Sequence, residues 1–64
     1  MYQKLINEID PTINAAGVEA SMRLQYGTLG HLPRDTFVAE IKLAHECELA
    51  QPGFLDSIAK SYGL

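Results

Sequence analysis

One cysteine, no tryptophan and only five basic residues among 64 set the first limits on this chain. With Cys47 alone, no disulfide can staple the fold from within, and no Cys/His quartet offers structural zinc. A lone thiol fits a reducing compartment, so a cytoplasmic setting is expected. Lys4, Arg23, Arg34, Lys42 and Lys60 are scattered over the whole length, and the formal net charge is −3. Nucleic-acid binders concentrate cations to displace counterions from phosphate. That dispersal makes nucleic acid an improbable partner, and the acidic excess is too modest for a mimic of DNA. Apolar runs reach only two or three residues, which excludes a membrane-spanning helix. The start, Met1 to Glu8, lacks the apolar stretch and small-residue cleavage site of a signal peptide.

Hydrophobic residues nevertheless make up 47% of the chain, the content of a folded domain. A single small domain over residues 1–64 is expected. A chain of this size buries only about 60% of the surface that its unfolded form exposes. Small scaffolds usually add disulfides, metal or oligomerisation. With the first two disfavoured, self-association becomes the expected staple.

The punctuation divides the chain into four helices, two long and two short, so the expected fold class is an all-α small bundle. Tyr2, Leu5, Ile6 and Ile9 form one apolar stripe and predict a first helix over Tyr2–Ile9. Asp10-Pro11 offers an N-cap followed by proline at the first helical position, which predicts a second helix from Pro11 to Tyr26. From Val18 to Tyr26 apolar and polar residues alternate as in a strand. Ala, Glu, Met, Arg, Leu and Gln are strong helix formers, and no second strand is evident, so helix is preferred. Gly17 leaves open a break within it. A third helix is predicted from Pro33 or Asp35 to Ala50, with a core stripe of Phe37, Val38, Ile41, Ala44, His45 and Leu49. A fourth is predicted over Pro52–Tyr62, with Leu55, Ile58, Ala59 and Tyr62 facing inward and Gly63 as its cap.

Read as a helix, the second segment has two apolar faces. One, with Ile13, Ala16, Gly17, Ala20 and Leu24, is rich in small residues and would let another backbone approach closely. The other carries Ala15, Val18, Met22 and Tyr26. A helix apolar on both sides is normally buried between neighbours. In so short a chain the second neighbour is expected to be another subunit, so both Ile13/Ala16/Gly17/Ala20/Leu24 and Val18/Met22/Tyr26 are candidate dimer contacts. Ala20→Glu is then expected to break the assembly by placing a charge where close packing is needed.

Several constellations resemble chemistry and read better as structure. His45 and Glu48 stand at i, i+3 on the third helix, the spacing at which helical bundles present metal ligands. No second Glu-x-x-His element accompanies them, so a solvated helix end is the better reading and no metal is assigned. Cys47 has no base placed to activate it and reads as a small buried hydrophobe. Gly27-Thr28-Leu29-Gly30 lacks the length and trailing Lys of a phosphate loop and reads as a turn. Tyr26, His31, Arg34 and Phe37 gather around that turn and form a candidate partner surface. Lys42 and Glu46 have the spacing of an exposed ion pair. No catalytic set converges and no cofactor motif appears, so neither an enzyme nor a cofactor is expected.

The last residues, Phe54 to Leu64, read like the first half of a helix-turn-helix: an Ile-Ala pair on a helix, then glycine at the turn. The sequence stops where a recognition helix would begin. A transcription-linked DNA-binding regulator therefore stands as an alternative, beside a metal-binding bundle using His45 and Glu48.

The stretch Met22-Arg23-Leu24-Gln25-Tyr26-Gly27-Thr28-Leu29-Gly30-His31-Leu32, with the later Gln51-Pro52-Gly53-Phe54-Leu55, resembles short uncharacterised proteins of bacterial prophages and mobile elements. The resemblance spans about the last two thirds of the chain. It implies a bacterial cytoplasm and a regulator or inhibitor that acts by binding, and it carries no site residues across. The resulting expectation is a non-catalytic protein–protein interaction module that binds itself, as a dimer, and a further protein.

Overall fold

In the computed structural model, which describes residues 2–63, four helices follow one another: α1 (Tyr2–Ile9), α2 (Ala15–Tyr26), α3 (Arg34–Ala50) and α4 (Phe54–Ser61). No strand occurs among the described residues, so the alternating pattern of Val18–Tyr26 yields to helix propensity. The fold is the expected all-α small bundle. Helix α1 has the bounds that its apolar stripe predicts, and Ile6 from the centre of that stripe is fully buried.

Helix α2 starts four residues later than the Asp10-Pro11 signal suggests. The Asp10 carboxylate is occupied by a turn: its Oδ1 accepts hydrogen bonds from the Thr12 N–H at 3.2 Å and the Thr12 hydroxyl at 2.8 Å. Asn14 is the cap that operates, its side-chain oxygen accepting from the Gly17 N–H at 3.2 Å. Ile13 thereby stays outside the helix and reaches the core, where it is 7% exposed.

Helix α2 is the central element. It runs unbroken through Gly17 and packs chiefly against α4, then against α1. The small-residue face identified in the sequence does admit another backbone, and that backbone is α4 of the same chain. A Cβ placed on Gly17 would stand 2.4 Å from the Leu55 carbonyl oxygen and 2.5 Å from the Leu55 Cβ. Ala20 is fully buried, and so is Val18 on the opposite face, with Met22 at 1% exposure. Both apolar faces are therefore covered within one chain. Ile13, Gly17, Ala20, Val18 and Met22 cannot serve as dimer contacts without opening the fold, which corrects that assignment. Leu24, 65% exposed, lies outside this packing.

The core is continuous. Ile6, Val18, Met22, Ile41 and Leu55 are its largest fully buried side chains and come from all four helices. Leu29 folds back from the α2–α3 loop to join them, at 3% exposure. The inward side of α3 is narrower than the predicted stripe. Phe37, Ile41 and Ala44 are buried, whereas Val38 and His45 are half-buried and Leu49 is exposed. On α4, Leu55 and Ala59 are buried, Ile58 is half-buried, and Tyr62 turns outward beyond the last helical turn.

Gly17→Ala tests the α2–α4 contact. Alanine favours helix over glycine by about 1 kcal/mol. The atoms in its way are the Leu55 carbonyl and Cβ, which cannot swing aside as a side-chain tip would. The expected outcome is a net destabilisation on the order of 1–2 kcal/mol, read as a lower urea midpoint. Ala20→Glu is expected to unfold the single chain rather than merely separate subunits.

Candidate functional site

His45 and Glu48 project from one side of α3 into a shallow cleft of about 370 Å³ that also exposes Leu49 and Asp56. Each already has a structural partner. The Nδ1 of His45 lies 3.0 Å from Oδ2 of Asp10, so the residue that shapes the α1–α2 turn also ties that turn to α3. Glu48 reaches across to α4, where its two oxygens accept hydrogen bonds from the Gly53 N–H at 2.8 Å and the Leu55 N–H at 3.0 Å. Gly53 occupies the N-cap position of α4 with φ +93° and has no side chain to cap with. Glu48 supplies that cap from a different helix and places negative charge at the positive end of the α4 dipole. Among the described residues no three His, Cys, Asp or Glu side chains come together as a metal site would need.

A second polar cluster joins α1 to α2. Glu19 is buried at 8% exposure, accepting from the Gln3 amide at 3.0 Å and from the Arg23 guanidinium at 2.9 and 3.0 Å. Arg23 lies over the Tyr2 ring, 5.6 Å from its centroid. Sequence periodicity treats Glu19 as one of the solvated residues of an alternating run. The signal that could identify its role is Arg23 at i+4, a spacing that supports such a pair.

These links set the electrostatics. The Thr12 hydroxyl, outweighing the small burial cost, holds the Asp10 carboxyl below its ordinary value, with Thr12 N–H and His45 adding to the effect. Burial pushes Glu19 upward, but the hydrogen bonds from Gln3 and Arg23 and the Arg23 charge together bring it below the usual range. The Gly53 and Leu55 amides hold Glu48 low. Tyr26 donates its hydroxyl to Glu40 at 2.8 Å, and that bond raises the phenol.

The proposed cluster around the α2–α3 loop divides. Phe37 is core, Tyr26 is turned to Glu40, and His31 and Arg34 are exposed. Arg34 and Phe37 do share a small cleft of about 170 Å³ with Tyr2 and Leu5, but Tyr26 and His31 are not part of it.

The outer side of α3 corrects the reading of Cys47 as a buried hydrophobe. Cys47 is exposed, because the inward arc is set by Phe37, Ile41, Ala44 and Glu48 and Cys47 falls outside it. Leu43 is 53% exposed, and Ala39 and Ala50 are also exposed along the same ridge. Beside it runs an open groove of about 260 Å³ between α2 and α3, with Leu43, Cys47 and Phe54 along it together with the polar Ser21, Gln25 and Glu40. Lys42 and Glu46 are exposed on the ridge's other flank. They do not form an ion pair with each other, although Arg23–Glu19 and Lys60–Asp56 do at the same spacing.

Comparison of the chain with protein-family models, with curated proteins and with solved structures finds no match.

Two outcomes follow from the carboxylate links. Unfolding frees Asp10, Glu19 and Glu48 to take up protons nearer their ordinary values of 3.8, 4.5 and 4.5. Their stabilisation is fully present above those values and is lost as pH falls through the lower folded values. Urea midpoints measured across the acid range are expected to fall accordingly, and a flat profile would refute these links. Glu48→Gln keeps the shape but removes the charge and one acceptor. Faster hydrogen exchange is expected at the Gly53 and Leu55 amides, with α1 unaffected.

Proposed function

We propose that this chain is a small non-catalytic protein–protein interaction module, a regulator or inhibitor, and that the outer ridge of α3 is its contact surface. The observation that carries the reading is Leu43, half exposed mid-helix at the edge of the α2–α3 groove. Single exposed leucines are ordinary. Leu43 is grouped with Ala39, Cys47 and Ala50 along one ridge and borders a groove that also exposes Cys47 and Phe54. Such a contiguous patch is the usual mark of a binding surface.

The chemistry elsewhere supports binding over catalysis. His45, Glu48, Asp10 and Glu19 are engaged in holding helices together. Of the five basic residues, Arg23 and Lys60 face carboxylates, and Lys4, Arg34 and Lys42 lie on separate parts of the fold. That distribution supports a protein partner in preference to a phosphate backbone. Action in a bacterial cytoplasm, in a prophage or mobile-element setting, is the biological context this reading adopts.

Cys47 provides the test, because it is exposed on the ridge and is the sole thiol. A thiol-directed photo-crosslinker attached there should give discrete protein adducts, with purified protein alone or in bacterial extract. Excess unlabelled protein should suppress them, and excess Leu43→Asp protein should not. Absence of discrete adducts, or equal suppression by both competitors, would overturn the assignment.

A further inference from the structure

We infer that the occupant of this ridge is a second copy of the chain, with α3 packed antiparallel on α3 about a two-fold axis level with Ala44. The inference rests on the ridge being the contact surface, and it specifies partner and register. It stands on charge as well as on apolar area. Lys42 and Glu46 lie four residues apart on the same flank of the ridge, both exposed and, among the described residues, without an ion-pair partner.

In an antiparallel two-fold pair, like flanks of the two helices meet. An axis level with residue 44 places position 42 of one copy opposite position 46 of the other, and the reverse. Each Lys42 then faces a Glu46, giving two symmetry-related ion pairs. A parallel two-fold pairing would bring opposite flanks together, so Lys42 and Glu46 of one copy would not meet those of the other. The charged flank is thus complementary to itself only in the antiparallel orientation.

The apolar residues agree with the same register. At a rise of about 1.5 Å per residue, the two Leu43 positions come within about 3 Å of the same level along the helix axis. Each would lie against Leu43 and Cys47 of the second copy. Ala39 and Ala50, on the same ridge, are small enough to let the helices approach. Glu40, on the other flank, is turned back to Tyr26 and Gln25 of its own chain and is not needed across the contact. A 17-residue helix is only about 26 Å long, so the contact is smaller than the roughly 800 Å² per partner of a standard interface. The expected dimer is therefore weak, with dissociation in the micromolar range or above.

Absolute mass in solution over a concentration series, from about 10 μM to about 1 mM, provides the test. The mass of the wild-type chain is expected to rise from 7.1 kDa toward twice that value. Lys42→Glu and Glu46→Lys should each weaken the dimer about tenfold, because each replaces two attractions by two repulsions. The double variant Lys42→Glu/Glu46→Lys should restore it to near wild-type strength. Helical circular dichroism, unchanged in all three, excludes unfolding as the cause. A mass of 7.1 kDa at every concentration would overturn the inference. So would a dimer indifferent to the single reversals, or one that the double reversal does not restore. If the chain is monomeric but Cys47 crosslinks to a different protein, this inference fails while the ridge remains the binding surface. If neither dimer nor adduct forms, both fail.

Discussion

The fold depends on how closely two backbones approach at Gly17 and Leu55. No side chain fits between them, since even a Cβ on Gly17 would fall within 2.4–2.7 Å of Leu55 atoms. Each partner in this contact is held by a cap at the start of its own helix. Asn14 fixes the Gly17 N–H, and Glu48 fixes the Leu55 N–H. The Leu55 side chain then enters the core beside side chains from α1, α2 and α3. One residue of α4 is thereby bonded to α3 through its amide, packed against Gly17 of α2 through its carbonyl, and set in the core through its side chain. Without that close approach, α4 would stand away from α2, and Ala20 and Ala59 could not both be buried.

Carboxylates do here what disulfides do in other small domains. Asp10 links the α1–α2 turn to α3, Glu19 links α1 to α2, and Glu48 links α3 to α4. Each is at most partly exposed and has its acceptors filled by specific donors, which is the condition under which a partly buried carboxylate stabilises rather than destabilises. No buried side-chain polar atom among the described residues lacks a partner. The bonds act through charge, so unlike covalent crosslinks they weaken as acid titrates them.

Periodicity made α1 legible to the residue, and helices α3 and α4 to within two residues at either end, because their punctuation is local. The start of α2 was not legible in the same way. Asp10 and Asn14 are both good caps, and choosing between them requires knowing that Asp10 is engaged by Thr12 and His45. The small-residue face of α2 was read correctly as a site of close approach, but sequence cannot say whose backbone arrives, and it is α4 rather than a second subunit. Glu48 and Cys47 show the same limit in opposite directions. The pattern of polar and apolar residues along α3 places Glu48 near the inward arc, whereas Cys47, read as a buried hydrophobe, is exposed. The position of α4, whose Gly53 and Leu55 amides need an acceptor, explains why a carboxylate suits position 48.

Among the described residues, apart from Leu24 on α2 and Tyr62 after α4, the large exposed apolar side chains, Leu43 and Leu49, lie on α3. This is the longest helix, yet Phe37, Ile41 and Ala44 are its only buried residues. Its packing against each of the other helices is slight beside that of α2 on α4. A helix so lightly held gains stability from any partner that covers its outer side, because most helical stability comes from packing an apolar face rather than from propensity. The ridge of Leu43 and Cys47 offers such a face, and Lys42 and Glu46 beside it give that face an orientation. A chain of 64 residues has little core to spare, so the association proposed for α3 would add burial to a helix that has little of its own.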